Sequence, residues 1–107
     1  MDPASDAATA YTAHAKGTLM QNVTLYTSSH CPYCVKAKNI LQAQNVSWTE
    51  IDVTDDMAAR TAMVVKAGGR RTVPQVFIGK THVGGADDLE ALVKAGGLAA
   101  LLNQLTD

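Results

Sequence analysis

Cys31 and Cys34 are the only cysteines in this 107-residue chain, and they stand three apart in Cys31-Pro32-Tyr33-Cys34. A short apolar run, Val23-Thr24-Leu25-Tyr26, precedes them and a helical pattern follows. Strand, Cys-x-x-Cys, then helix is the context in which the motif reads as redox chemistry. A helix start aims unpaired N–H groups and the positive end of its dipole at the first cysteine. Both favour the thiolate, which is the nucleophile. A free thiol with a pKa near ~8.5 is only about 3% ionised at neutral pH, and such sites bring the value into the range of ~3.5–7.5. Cys31 is therefore expected to be the low-pKa nucleophile. Cys34, one turn on and on the same helix face, is expected to resolve.

Other uses of two cysteines fit less well. A zinc site needs four ligands, and His14, His30 and His82 are scattered with no second Cys pair. A structural disulfide here would close a tiny loop, where cross-linking gains least. Two inert buried thiols remain an alternative, although Pro32 and Tyr33 do not resemble a core segment.

Two further stretches carry chemistry. In Thr72-Val73-Pro74 a proline stands directly before an apolar strand, a place it takes only at a strand's first residue. A cis bond there would leave the Val73 backbone groups unpaired, and an extended peptide could add to them as a strand. An ordinary loop proline is the alternative. In Gly84-Gly85-Ala86-Asp87-Asp88, two glycines allow close backbone approach and a helix start offers N–H groups to a carboxylate. An Asp beside them would hold an ammonium. The pair suits the free amino-acid end of a peptide; the alternative is a tight turn with Asp87 as plain N-cap.

Elements must position these groups. Val23–Tyr26 reads as a first strand and Pro32–Gln44 as a first helix, with Pro32 in its first turn and Asn45 as its stop. Val46–Val53 reads as a second strand. Its alternation slips between Trp48 and Ile51, so a bulge or an early end is expected. Thr54-Asp55-Asp56 caps a helix over Met57–Ala67, which Gly68-Gly69 ends. Val76–Ile78 and His82-Val83 form a hairpin through Gly79-Lys80. Asp87-Asp88 caps a third helix with Leu89, Leu92 and Val93. Leu98, Leu101, Leu102 and Leu105 stripe a fourth. The order βαβαββαα predicts an α/β fold, a four-stranded mixed sheet flanked by helices, with the first two strands parallel.

At this length one domain is expected. The chain is 47% hydrophobic and 18% charged with net charge −1, which favours neither nucleic acid nor membrane partners. No apolar run approaches a membrane span. Two cysteines do not make a secreted disulfide scaffold, and a cycling Cys-x-x-Cys fits a reducing, cytoplasmic setting. Residues 1–19 lack apolar periodicity and the marks of a signal peptide. They are expected to be a flexible N-terminal extension or an appended leader before a domain at 20–107. A short helix over Ala7–Lys16 is the alternative.

Tyr26-Thr27, Cys31-Pro32-Tyr33-Cys34, Thr72-Val73-Pro74-Gln75-Val76-Phe77-Ile78 and Gly84-Gly85-Ala86-Asp87-Asp88-Leu89, in this order, resemble the glutaredoxin family, dithiol class. The likeness runs from about Val23 to Leu102. It implies a thioredoxin-like fold, a cis Pro74, and glutathione as reductant with no metal. It implies glutathione contacts from Tyr33, Thr72, Val73, Pro74, Gly85, Ala86, Asp87 and Asp88. The substrates it implies are protein disulfides and glutathionylated thiols on a monomeric enzyme, with ribonucleotide reductase left open as a partner. Two positions depart from the pattern. Ser28 stands where many relatives carry a Lys that holds the glutathione glycyl carboxylate, leaving Arg70, Arg71 or His30 as stand-ins. Ala86 replaces a frequent Cys. An iron–sulfur binding module and a thioredoxin-like donor recycled by a flavoprotein reductase are the rival readings. Pro32 speaks against the first and the Gly-Gly-Ala-Asp-Asp stretch against the second.

Overall fold

The structure is a computed structural model that describes residues 8–11 and 22–104. In chain order the elements are β1 (Ala8–Tyr11), β2 (Val23–Thr27), α1 (Pro32–Ala43), β3 (Trp48–Asp52), α2 (Met57–Lys66), β4 (Gln75–Ile78), β5 (Thr81–Gly84), α3 (Ala86–Lys94) and α4 (Gly97–Gln104). The sheet runs β1-β3-β2-β4-β5. β2 and β3 are parallel, and β4 is antiparallel to both β2 and β5. This is the thioredoxin-like arrangement, with the four expected strands in place.

A fifth strand is added at the edge. Ala8–Tyr11 pairs antiparallel with β3, from Ala8↔Ile51 to Tyr11↔Trp48. The segment is expected to be a flexible extension, with a short helix as the alternative; these four residues form a strand and not a helix. A strand edge recruits a partner through unpaired backbone groups, so the recruited strand needs no apolar period of its own. The rest of the expected extension lies outside the described residues.

Two cores sandwich the sheet. On one face Val23, Leu25, Trp48, Val76 and Ile78 pack under α1, α3 and α4 through Leu41, Leu89 and Leu98. On the other, Tyr26, Val53 and Phe77 meet Met63 and Ala67 at α2. This explains the slip between Trp48 and Ile51. The two side chains face opposite layers, and a strand covered on both faces has no reason to alternate. The β2–β3 ladder runs without a bulge from Thr24↔Thr49 to Thr27↔Asp52, and β3 is simply shorter than expected. The irregularity lies instead in β5, between the Phe77↔His82 and Val76↔Gly84 pairs.

Helix ends follow the sequence signals. Asp56 caps α2 by accepting from the Ala59 N–H at 2.9 Å. Gly68 (φ +66°) and Gly69 close that helix, with Gly69 N–H donating to Val64 O and Gly68 N–H to Val65 O. The same double bond pattern closes α1, from Val46 N–H to Leu41 O and Asn45 N–H to Gln42 O. Here a non-glycine, Asn45, takes the left-handed position at φ 59°. Asn tolerates this conformation better than other side-chain-bearing residues. Asn45→Gly should therefore leave the urea midpoint unchanged or slightly raised, and Asn45→Val should cost about 1 kcal/mol or more. Equal midpoints for the two variants would show that Asn45 is not what ends α1.

Candidate active site

Cys31 stands just outside α1 as its N-cap, with extended backbone (φ −118°, ψ 100°). Its sulfur accepts the Cys34 N–H at 3.1 Å. Pro32 occupies the first helical position, where no N–H is needed. The Cys31 and Cys34 sulfurs are joined, with Cα atoms 5.2 Å apart. The two are not equivalent: Cys34 is buried at 2% exposure, whereas Cys31 is half-buried.

The approach to Cys31 is held from two sides. His30 adopts φ 56°, a turn that feeds the chain from β2 into the cap. Ser29 N–H donates to Thr54 Oγ1 at 2.8 Å, while Thr54 N–H donates to Asp52 Oδ1 at 2.8 Å. The loop before α1 is thus tied to the loop before α2. Hydrogen bonding to Asp52 from the Thr54 side chain, and then from its N–H, lowers the Asp52 carboxyl from its ordinary value. Sequence reasoning missed this tie, because no local pattern marks Thr54 as the partner of a residue 25 positions away.

Across from Cys31 lies the loop before β4. The Val73–Pro74 bond is cis, as expected. The Cys31 sulfur is 3.8 Å from Val73 O. Beside it opens a cleft of about 440 Å³ lined by Tyr33, Arg70, Thr72, Val73, Pro74, Gly85, Ala86, Asp87 and Asp88. All eight residues singled out for one ligand therefore meet in one place, from three separate stretches of chain. Arg70 joins them. Of the three cations considered as stand-ins for the Lys absent at Ser28, Arg70 is the one that lines this cleft.

The start of α3 differs in detail from expectation. Gly85, not Asp87, is the N-cap. Asp88 does the capping from inside the helix, accepting the Gly85 N–H at 2.9 Å, and it also pairs with Arg70 at 3.2 Å. These contacts, the Gly85 bond foremost, lower the Asp88 pKa. Gly84 has φ +119°, and a Cβ there would run into the Asp88 carboxylate and the Arg70 guanidinium. Asp87 has no capping duty. Its exposed carboxylate accepts from Lys36 Nζ of α1 at 2.9 Å, and Glu90 shares that ammonium at 3.2 Å. The two acids raise the Lys36 pKa.

A Cys-x-x-Cys at a helix start facing a cis-proline loop on a thioredoxin-like sheet defines a thiol–disulfide oxidoreductase site. Comparison with known proteins agrees. The glutaredoxin family model matches residues 23–83. A glutaredoxin of Pseudomonas aeruginosa is 49% identical over 84 residues, covering 78% of this chain and 99% of that protein. The solution structure of a Brucella melitensis glutaredoxin superposes with a TM-score of 0.69 at 44% identity, covering 80% of this chain and 91% of that one. A crystal structure of a buckwheat glutaredoxin–glutathione complex shares the fold, with a TM-score of 0.71 at 24% identity over 87% of this chain and 89% of that one. The chain belongs to the glutaredoxin family.

Asp88 links the site to acid stability. Its folded pKa is depressed, so its contribution is present above the ordinary carboxylate value of ~3.9 and is lost as pH falls through the folded value. Asp88→Asn should lower the melting temperature at pH 6, and the gap from the parent should close as pH drops below about 4. A gap that stays constant down to acid pH would remove Asp88 from the acid limb.

Proposed function

We propose that this protein is a glutathione-dependent thiol–disulfide oxidoreductase that reduces protein disulfides and glutathionylated thiols through Cys31 and Cys34. The observation that carries the reading is the cleft beside Cys31, where the backbone before a cis proline, a helix N-terminus and acidic side chains converge. Each matches a part of glutathione. The Val73 backbone suits its extended cysteinyl residue. The N–H groups of Ala86 and Asp87 suit the γ-glutamyl carboxylate, and the Asp87 side chain, with Asp88, its ammonium. Tyr33, Thr72, Pro74 and Gly85 line the remainder.

The reaction follows from the inequality of the two sulfurs. The Cys31 thiolate attacks a substrate disulfide, one substrate sulfur bonds to Cys31, and the other leaves as a thiolate that takes a proton from water. Cys34 then gives up its proton, attacks the Cys31 sulfur and expels the second substrate thiol. Glutathione thiolate attacks Cys31 of the Cys31–Cys34 bond, forming a Cys31–glutathione mixed disulfide and releasing Cys34 as a thiolate that takes a proton from water. A second glutathione attacks the glutathione sulfur of that adduct, yielding glutathione disulfide and the Cys31 thiolate. With a glutathionylated substrate, Cys31 takes the glutathionyl group directly and Cys34 is not needed. A stabilised Cys31 thiolate is also the better leaving group in the last step. This chemistry suits a reducing compartment such as the cytoplasm and a single copy of the chain. Ribonucleotide reductase is one candidate among disulfide-bearing partners.

Two experiments test the proposal. Cys31→Ser should abolish turnover of both substrate types, while Cys34→Ser should keep turnover of a glutathionylated peptide and lose efficient reduction of a protein disulfide. Activity surviving in Cys31→Ser would reverse the assignment. For the ligand, Asp87→Asn and Asp87→Ala should both raise the glutathione concentration for half-saturation about tenfold, given that a charge-assisted bond contributes roughly 1.5–3 kcal/mol. Because Asp87 caps nothing, both variants should melt within a degree or two of the parent, as surface changes do. Unchanged saturation by glutathione would remove Asp87 from the binding site.

A further inference from the structure

Gln75 is fully buried, at 0% exposure, at the start of β4. A buried amide needs partners at both ends. Its Nε2 donates to Thr72 O at 3.0 Å and to Thr72 Oγ1 at 3.3 Å. Its Oε1 lies 2.6 Å from His82 Nε2 on the neighbouring strand β5. The His82 ring is stacked on Phe77, with centroids 4.9 Å apart and planes at 26°. A carbonyl oxygen only accepts, so Thr72 O fixes which end of the amide is the NH₂ group. The other end is then an acceptor, and His82 Nε2 must carry a proton. Burial and the Arg70 charge lower the His82 pKa, against an opposing pull from Asp88, which favours the neutral ring, and the amide then calls for its one proton on Nε2.

The relay ends on the loop that faces Cys31. Thr72 has two of its own atoms held by Gln75, and it sits one residue before Val73, whose carbonyl approaches the Cys31 sulfur. Thr72 itself is exposed. The buried amide beneath holds Thr72 directly, next to the bond from Arg60 Nη1 to Arg71 O that holds the preceding residue.

We propose that Gln75 and His82 are positioning residues for ligand binding: the His82–Gln75–Thr72 relay holds the Thr72-Val73 backbone in place beside Cys31, in the form to which a glutathione peptide adds. This rests on the glutathione reading above. Neither residue touches the reacting sulfurs. Each acts through the loop, so the relay should govern the affinity for glutathione and leave the intrinsic reactivity of Cys31 alone.

The test has two arms. In the first, nitrogen-15 NMR of the parent protein at pH 7 should show a neutral His82 imidazole protonated at Nε2. A ring protonated only at Nδ1 would place two acceptors face to face, and the relay as described would be wrong. In the second, His82→Phe and Gln75→Leu are assayed with glutathione and a glutathionylated peptide. His82→Phe keeps an aromatic ring on Phe77 and breaks only the first link. Half-saturation by glutathione should rise about fivefold, in line with the loss of one or two ordinary hydrogen bonds. The alkylation rate of reduced Cys31 by iodoacetamide, which needs no cleft, should stay within twofold. Unchanged saturation in the folded variants, or an alkylation rate that falls in parallel, would overturn the proposal. If Gln75→Leu does not fold, His82→Phe and the tautomer of the parent still decide it. Should the parent fail to saturate with glutathione, the functional reading falls, and the tautomer separately decides the relay.

Discussion

The Cys31 sulfur accepts a hydrogen bond from the Cys34 N–H in the first turn of α1, and the site is arranged around that contact. The bond requires Cys31 to stand outside the helix with extended backbone while Cys34 lies one turn inside. His30 in a left-handed turn makes the change of direction, and Pro32 starts the helix without wasting a donor. The helix cannot shift to relax this geometry, because Ala37 and Leu41 are fully buried against the sheet. β2, which delivers the chain, is paired on both edges by β3 and β4. The position of one sulfur thus inherits the rigidity of the central sheet, and the tie from Ser29 to Thr54 extends that rigidity to the loop.

The charged groups around the cleft follow a different logic. In the free protein each acid expected to meet the ligand's ammonium already has a cation: Lys36 for Asp87 and Arg70 for Asp88. All four side chains are at least a third exposed, and pairs of this kind contribute little in water. On the proposed function, glutathione binding at this end would be an exchange of weak ion pairs, with small cost to the fold. Asp88 is the more constrained of the two acids, because it also holds the Gly85 N–H and sets the start of α3. Asp87 is free to turn toward a ligand. The absence of a side chain at Gly84 is what lets Asp88 and Arg70 close against the turn.

Much of this was legible in the residues. The Cys31–Cys34 pair, the caps at Asp56 and Asn45, the Gly68-Gly69 stop and the Gly79-Lys80 hairpin are local devices, written within four or five consecutive residues. The eight cleft residues came from resemblance to a family, and the fold gathers them. What stayed hidden is non-local. β1 belongs to the sheet because β3 had an unpaired edge, which no property of Ala-Thr-Ala-Tyr announces. Trp48 and Ile51 broke the expected alternation because the sheet is covered on both faces. Asp87 resembled a cap, and only the position of Gly85 just after β5 shows that the N-cap lies two residues earlier.

The division has a physical reason. Backbone preferences, helix caps and the placement of a thiol at a helix start act over one turn, so the sequence by itself determined the elements, the position of Cys31 and the class of reaction. Partners across the fold are chosen by packing of whole layers. Only the tertiary structure could decide that Thr54 holds Ser29, that Lys36 meets Asp87, and that His82 reaches Thr72 through a buried Gln75.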